Sequence, residues 1–232
     1  MKSNFDEFAD SYETLHAKSI KLSGYAPSFF DEHKIKIVHR EIKNEFLDLS
    51  QRTFLNFGCG IGKSEIYIRE YFPKVKIFSA DISLESIRTA QQRNADIEGI
   101  SYIHYTKIEE LQQGVKYDII FVANVFHHIA STEHTAVLTT LKSLLKEGGH
   151  LFIFEHNPIN PLTRMAFEKC EFDVGCTMLN HHYLGRMLDK SGFKSKKVNF
   201  VLFFPKILSV FNYFEKYLSV IPLGAQYYFK AK

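Results

Sequence analysis

The stretch that decides the fold is Thr53-Phe54-Leu55-Asn56-Phe57-Gly58-Cys59-Gly60-Ile61-Gly62. Five residues of strand character run into a G-x-G-x-G turn, and a helix-forming run from about Lys63 to Tyr71 follows, ending before Pro73. Glycines at this spacing let a backbone come close to a ligand, and the free amides opening the next helix favour negative or polar acceptor groups. The spacing differs from the G-x-G-x-x-G dinucleotide fingerprint. Alone, the turn reads as a nucleotide-like binding loop or as a purely structural turn.

Working outward, Lys76-Ile77-Phe78-Ser79-Ala80 reads as a second strand with Asp81 at its carboxyl end. An acidic residue about 20 positions beyond such a turn can bind ribose hydroxyls, the alternative being a local cap ahead of Ser83. Ser83 starts a helix reaching about Asn94. Strands follow at Ile100 to Tyr105 and at Tyr117 to Ala123, the second a continuous apolar run typical of a central strand. Ser131 is expected to cap a helix that ends on Gly148-Gly149, before a strand from His150 to Glu155. This alternation predicts an α/β domain whose parallel sheet carries helices on both faces.

The pattern changes after that strand. Residues 156–180 hold Pro158, Pro161 and two cysteines and form a long connection, read as a lid-like, substrate-facing insertion. A helix from about His182 to Ser191 and strands at Lys196 to Phe204 and Ala225 to Lys230 close the chain. Between those strands Ile207, Val210, Phe211, Phe214, Leu218 and Ile221 recur at helical spacing, which predicts an apolar face packed as core. The alternative is that Phe203, Phe204, Phe211 and Phe214 line a pocket or touch a lipid surface. Residues 1–50 read as a helical cover, with Ile35, Val38, Ile42 and Phe46 in one stripe and Phe5, Phe8 and Tyr12 on one side of a shorter helix.

Composition narrows the function. The 232 residues are 45% hydrophobic and 24% charged, enough for one substantial packed domain, here taken as 1–232. Twenty-two Phe and 12 Tyr without a Trp point to an aromatic core. A net charge of +3 with no basic stripe argues against a nucleic-acid partner, and Lys194-Ser195-Lys196-Lys197 reads as a solvated strand entrance. Three cysteines without C-x-x-C spacing argue against a disulfide framework and a zinc site, so no metal is expected. Met1 to Asp10 is acidic and lacks a signal-peptide core, and Lys206, Glu215 and Lys216 interrupt the apolar 198–224 region. The expectation is a cytoplasmic protein with no transmembrane segment and at most peripheral membrane contact.

Four segments in order resemble one family. Leu55 to Gly62 resembles motif I of class I S-adenosylmethionine-dependent methyltransferases, and Asp81 matches its acidic ribose ligand. Tyr117-Asp118-Ile119-Ile120 with Asn124-Val125-Phe126-His127-His128-Ile129 resembles the fourth-strand motif, and Leu144 to Leu151 the passage into strand five. The resemblance covers about residues 53 to 155. It implies a Rossmann-like, seven-stranded mixed sheet with a C-terminal antiparallel strand, and S-adenosyl-L-methionine as cofactor. Two departures stand out: Asn56 where motif I usually carries an acid, and Thr106-Lys107-Ile108 where an Asp commonly lies near the adenine.

The implied cofactor residues are Tyr12, Phe57, Gly58, Cys59, Gly60, Gly62, Asp81, Ile82, Thr106, Ile108 and Asn124, the last near the sulfonium. The segments Glu155 to Arg164, Phe172-Asp173 and Pro222 to Tyr228 resemble a bacterial subgroup of small methyltransferases associated with surface polysaccharide or secondary-metabolite pathways. His128 and His156 are the expected general bases, because imidazole titrates near neutral pH. His127, Glu155, Asn157 and Arg164 are the expected substrate contacts. His181 and His182 read as a helix start. The expected reaction is methyl transfer to oxygen of a small-molecule or glycan-like acceptor. Transfer to nitrogen or carbon is one alternative, and a catalytically silent cofactor-binding protein another. Oligomeric state stays open.

Overall fold

The computed structural model describes residues 23–45, 49, 51–112, 114–170 and 173–232. Phe5, Phe8, Tyr12 and Phe46 lie outside the described residues. The strands are β1 (Thr53–Phe57), β2 (Lys76–Asp81), β3 (Ile100–His104), β4 (Tyr117–Ala123), β5 (Leu145–His156), β6 (Lys196–Val201) and β7 (Gln226–Ala231). The helices are α1 (Pro27–Ile42), α2 (Glu65–Tyr71), α3 (Leu84–Arg93), α4 (His134–Leu144), α5 (Pro161–Glu168), α6 (His181–Lys190) and α7 (Glu215–Leu218). One seven-stranded sheet runs in the order β3-β2-β1-β4-β5-β7-β6. β1 pairs parallel with β2 and β4, β2 pairs parallel with β3, and β7 lies antiparallel to β6. The expected mixed sheet with an antiparallel last strand is therefore present.

Among the described residues the chain forms two compact units. The first comprises Ser28–Val122 and Ser143–Leu151; the second comprises 23–27, Ala123–Lys142 and Phe152–Lys232.

In the first unit the expected stripe of α1 is buried, with Ile35, Val38 and Ile42 wholly excluded from solvent. Phe54 of β1 packs against Phe72 and Phe121, ring centroids 5.5 and 6.2 Å away, so the phenylalanine-rich composition does build core. Each such ring contributes roughly 1.5–3 kcal/mol by leaving water. Asp118 at the start of β4 fixes the strand register. It accepts hydrogen bonds from Arg52 Nη1 and Thr53 N, each at 2.9 Å, and from Lys146 Nζ at 2.6 Å.

The two glycines expected to end a helix lie inside β5 instead: α4 stops at Leu144, and β5 runs unbroken from Leu145. A Cβ on Gly149 would sit 2.9 Å from the Tyr117 carbonyl and 3.2 Å from that of Asp118. Glycine is needed there for close backbone approach, not for a helix cap.

In the second unit α4 begins at His134, three residues after the expected Ser131 cap. Its start is set by the His134 ring, whose Nε2 lies 2.9 Å from the Phe126 carbonyl and 3.0 Å from that of Ile129. The 156–180 connection contains α5. Asn160 Oδ1 caps it by accepting from Thr163 N at 3.0 Å, with Pro161 in the first turn, so a proline taken for a loop marker is a helix starter. Phe154 stacks on Tyr228 at 5.1 Å, and Tyr227 donates its hydroxyl to the Leu179 carbonyl at 2.8 Å. β6 stops at Val201 because Leu202 turns to φ +63.

The apolar stripe expected as core between β6 and β7 is not core. Lys206–Phe214 is a 3-10 segment kinked at Leu208, α7 follows, and neither contains a buried residue. Periodicity identified the apolar positions correctly, but among the described residues they are left at the surface.

Candidate functional site

The glycine turn is assembled from one end of β1 and β2. The amides of Gly58 and Cys59 both donate to the Ala80 carbonyl, at 2.8 and 3.1 Å, so the chain leaves β1 against the last residues of β2. Gly58, Gly60 and Gly62 take φ of 72, 53 and 72°, a region side chains resist. Their reasons differ. A Cβ on Gly62 would press on Asn94 Nδ2 at 2.6 Å and Ala90 Cβ at 2.8 Å, so Gly62 permits packing on α3. A Cβ on Gly60 would meet nothing within 4 Å. That open face of bare backbone is where a ligand can approach.

Asp81 stabilises the turn. Its Oδ2 accepts from Gly60 N at 2.8 Å and its Oδ1 from Ser83 N at 2.9 Å. Burial raises its pKa, and the amides of Ser83 and Gly60 work against that rise. A carboxylate has about four acceptor positions, and the amides of Ser83, Gly60 and Ile82 leave capacity for a hydroxyl group. Ser83 Oγ also caps α3, accepting from Ser86 N at 3.1 Å. Beside Asp81, Ile82 is exposed, Tyr105 stacks on Phe57 at 5.8 Å, and Thr106 bonds through N and Oγ1 to Glu110. Ile108 opens a 3-10 turn.

Asn56 has a partner the sequence reading missed. Its Nδ2 donates to Glu65 Oε1 at 2.9 Å, and Ser79 Oγ donates to the same oxygen at 2.6 Å. Glu65 is fully buried, burial raises its pKa, and its Oε2 has no hydrogen-bond partner among the described residues. The acid absent from position 56 thus lies against it from the first turn of α2. The signal was an Asn in the motif followed nine residues later by a Glu opening a helix.

The second unit carries a separate cluster around the end of β5. His127 is buried. Its Nδ1 lies 2.7 Å from Glu155 Oε2 and its Nε2 3.3 Å from Asp173 Oδ1. Burial alone would push His127 down, but the adjacent Glu155 and Asp173 charges prevail and hold its pKa up at about 10. Burial would likewise raise Glu155 and Asp173, yet the His127 charge keeps both below their ordinary values. Glu155 Oε1 also accepts from Phe126 N at 2.9 Å. His128 is driven the other way. Burial and then the positive His127 lower it to about 4, with Nδ1 3.1 Å from Cys176 Sγ and Nε2 3.6 Å from Asp173.

His156 joins this cluster with its ring tilted 5.6 Å from that of His127 and edge-on at 5.7 Å to Phe167. The structure thus brings together His127, His128, Glu155 and His156 from the expected set, and adds Asp173 and Cys176. His127, His128 and Asp173 could each offer a ligand atom to one metal ion, though hydrogen-bond and ion-pair contacts already join them. Asn157 is wholly buried and occupied in holding the chain: its Nδ2 donates to the carbonyls of Pro222 and Gly224, at 3.0 and 2.8 Å. Arg164 lies exposed on α5. Asn124 takes φ 56 and has a buried Oδ1 with no hydrogen-bond partner among the described residues.

Residues 55–151 match the family described as a methyltransferase domain. This segment, under half of the chain, is similar to a methyltransferase domain.

Among curated relatives, the chain is 31% identical over 123 residues to malonyl-[acyl-carrier protein] O-methyltransferase 2 of Ilyobacter polytropus. The match covers 52% of the chain and 46% of that protein. It is 26% identical over 185 residues to ribosomal RNA small subunit methyltransferase C of Hahella chejuensis, covering 73% of the chain and 53% of that protein. The chain spans between 27% and 53% of the length of the curated relatives it matches. Among solved structures, an S-adenosylmethionine-dependent methyltransferase from Archaeoglobus fulgidus superposes with a TM-score of 0.60 at 16% identity. It covers 88% of this chain and 98% of that one. At that identity the likeness is one of fold.

Proposed function

We propose that this chain transfers a methyl group from S-adenosylmethionine to an oxygen of a small-molecule or glycan-like acceptor. The observation that carries the reading is the Gly58–Gly62 turn, with its open backbone at Gly60 and the Asp81 carboxylate anchored beside it. These residues fit the cofactor: bare backbone for close approach, and a carboxylate with acceptor capacity left for a ribose hydroxyl. Ile82, Thr106 and Ile108 are the proposed adenine neighbours. When bound, S-adenosylmethionine supplies a methyl carbon already activated by its sulfonium.

The protein's remaining task is alignment and the handling of one proton. An oxygen acceptor must lose its proton, and His128 and His156 are the proposed bases. His128 suits this by being neutral near pH 7, so a nitrogen lone pair is available until negative charge develops on the acceptor. Asp173, 3.6 Å from its Nε2, can then steady the resulting imidazolium. His127, held as a cation by Glu155 and Asp173, fixes both carboxylates in place.

Calorimetric titration with S-adenosylhomocysteine tests the cofactor. Wild type is expected to bind, and Asp81→Ala to lose at least tenfold in affinity; failure of wild type to bind ends the reading. Turnover assays then separate acceptors. Methyl transfer to hydroxyl-bearing glycans or small molecules, lost in the double variant His128→Ala/His156→Ala, supports the reading. Transfer to RNA alone, or cofactor binding without turnover on any acceptor class, overturns it.

A further inference from the structure

The segment from Lys206 to Leu223 exposes a series of large apolar side chains, with Ile207, Val210, Tyr213, Tyr217 and Val220 at 89, 77, 67, 64 and 74% exposure. A contiguous exposed surface of this kind marks an interaction site in a folded protein. The segment is held in that pose. At its base Ala225 N donates to the Leu202 carbonyl at 3.0 Å, and Phe200 N to the Ser219 carbonyl at 2.7 Å. A Cβ on Gly224 would come 2.4 Å from the Val201 carbonyl oxygen, so the return of the chain requires glycine. Asn212 Nδ2 donates to the Tyr25 hydroxyl at 3.1 Å, and Asn157 holds the carbonyls of Pro222 and Gly224.

Two features decide what covers it. A helix that docks on a protein has one apolar face and an opposite polar one. Here no residue from Lys206 to Leu218 is buried; the polar side chains of Asn212 and Glu215 bond to Tyr25 and Phe203, and the large apolar side chains make the exposed surface. Such a surface calls for an apolar medium, not a flat partner. The charges point the same way. Glu215, the one acidic residue of the segment, turns inward to accept from Phe203 N at 2.8 Å. Lys206 is exposed, and Lys216 Nζ sits 4.4 Å from the Tyr213 ring centre and 4.8 Å from that of Tyr217. Tyrosines with a lysine over their rings, beside apolar tips, match the level of lipid headgroups.

We infer that Lys206–Leu223 docks this protein on the surface of an anionic lipid bilayer, its apolar side chains entering the headgroup and acyl boundary and its lysines meeting lipid phosphates. No helix among the described residues is long and apolar enough to cross a membrane, so the contact is with one surface.

Vesicle flotation tests this independently of methyl transfer, using phosphatidylcholine vesicles with and without about one-third phosphatidylglycerol. The full chain is expected to float with the anionic vesicles. Ile207→Glu/Val210→Glu is expected to cut partitioning at least tenfold while leaving the melting temperature unchanged, since both side chains are exposed. Lys206→Gln/Lys216→Gln is expected to cut it roughly fivefold per lysine on anionic vesicles only. Absence of wild-type binding to either vesicle, or glutamate variants that bind like wild type, overturns the inference. So does wild-type self-association in sedimentation velocity that the glutamate pair abolishes, with no vesicle binding: a second copy would then be the occupant.

Discussion

Two glutamates, Glu65 in the first unit and Glu155 in the second, are both fully buried, yet their pKa values move in opposite directions. Glu65 faces the neutral donors Asn56 and Ser79, so burial dominates and raises it. Glu155 faces His127 at 2.7 Å, and the opposite charge outweighs the same burial. Burial sets the cost of a charge; the partner decides whether the charge is kept.

The largest expected effect comes from breaking the paired one. Glu155→Gln should cost about 3–5 kcal/mol in urea unfolding at pH 7, because it leaves His127 without its closest counter-charge in a buried site. Asp173→Asn removes a longer contact to the same ring and should cost about 1.5 kcal/mol by the same measurement.

The pH profile sharpens the contrast. His127 is held at about 10 against an ordinary 6.5, so its contribution is complete below pH 6.5 and lost as pH rises toward 10. His128, held at about 4, contributes stability that is present above pH 6.5 and lost as pH falls from there toward 4. Glu155 and Asp173 add an acid arm, present above their ordinary values and lost as pH falls through the depressed ones. Urea midpoints should therefore peak near pH 6.5, and His127→Gln should remove the alkaline arm.

The smallest effect is expected at Glu65. The hydrogen bonds from Asn56 and Ser79 are both accepted by Oε1, which glutamine retains, and a raised carboxylate contributes stability at low pH that is lost as pH rises. Glu65→Gln should stay within about 1 kcal/mol of wild type at pH 7, on the stabilising side. A large loss there would show the two glutamates to be alike after all.

What the sequence made legible was local. β1, β2 and β4 announce themselves by short apolar runs, and the glycine turn by conformations only glycine adopts readily, so these strands and the place of Asp81 at the end of β2 were legible from neighbouring residues. The misreadings involve contacts distant in sequence. Asp173 and Cys176 meet His127 and His128 across 46 and 48 positions, a pairing with no local signature. Gly149 is glycine because of the Tyr117 carbonyl, again far away in the chain. The 206–221 stripe shows the limit of periodicity, which reports that positions are apolar but not what lies over them.

The short Glu155–His127 bond has a spectroscopic consequence. A ring proton enclosed by a carboxylate and shielded from water exchanges slowly and resonates far downfield of the amide envelope. One-dimensional proton NMR in ordinary water should display it without isotopic labelling, and Glu155→Gln should erase it. That single line would report the state of the cluster while acceptors are added, whatever their chemistry.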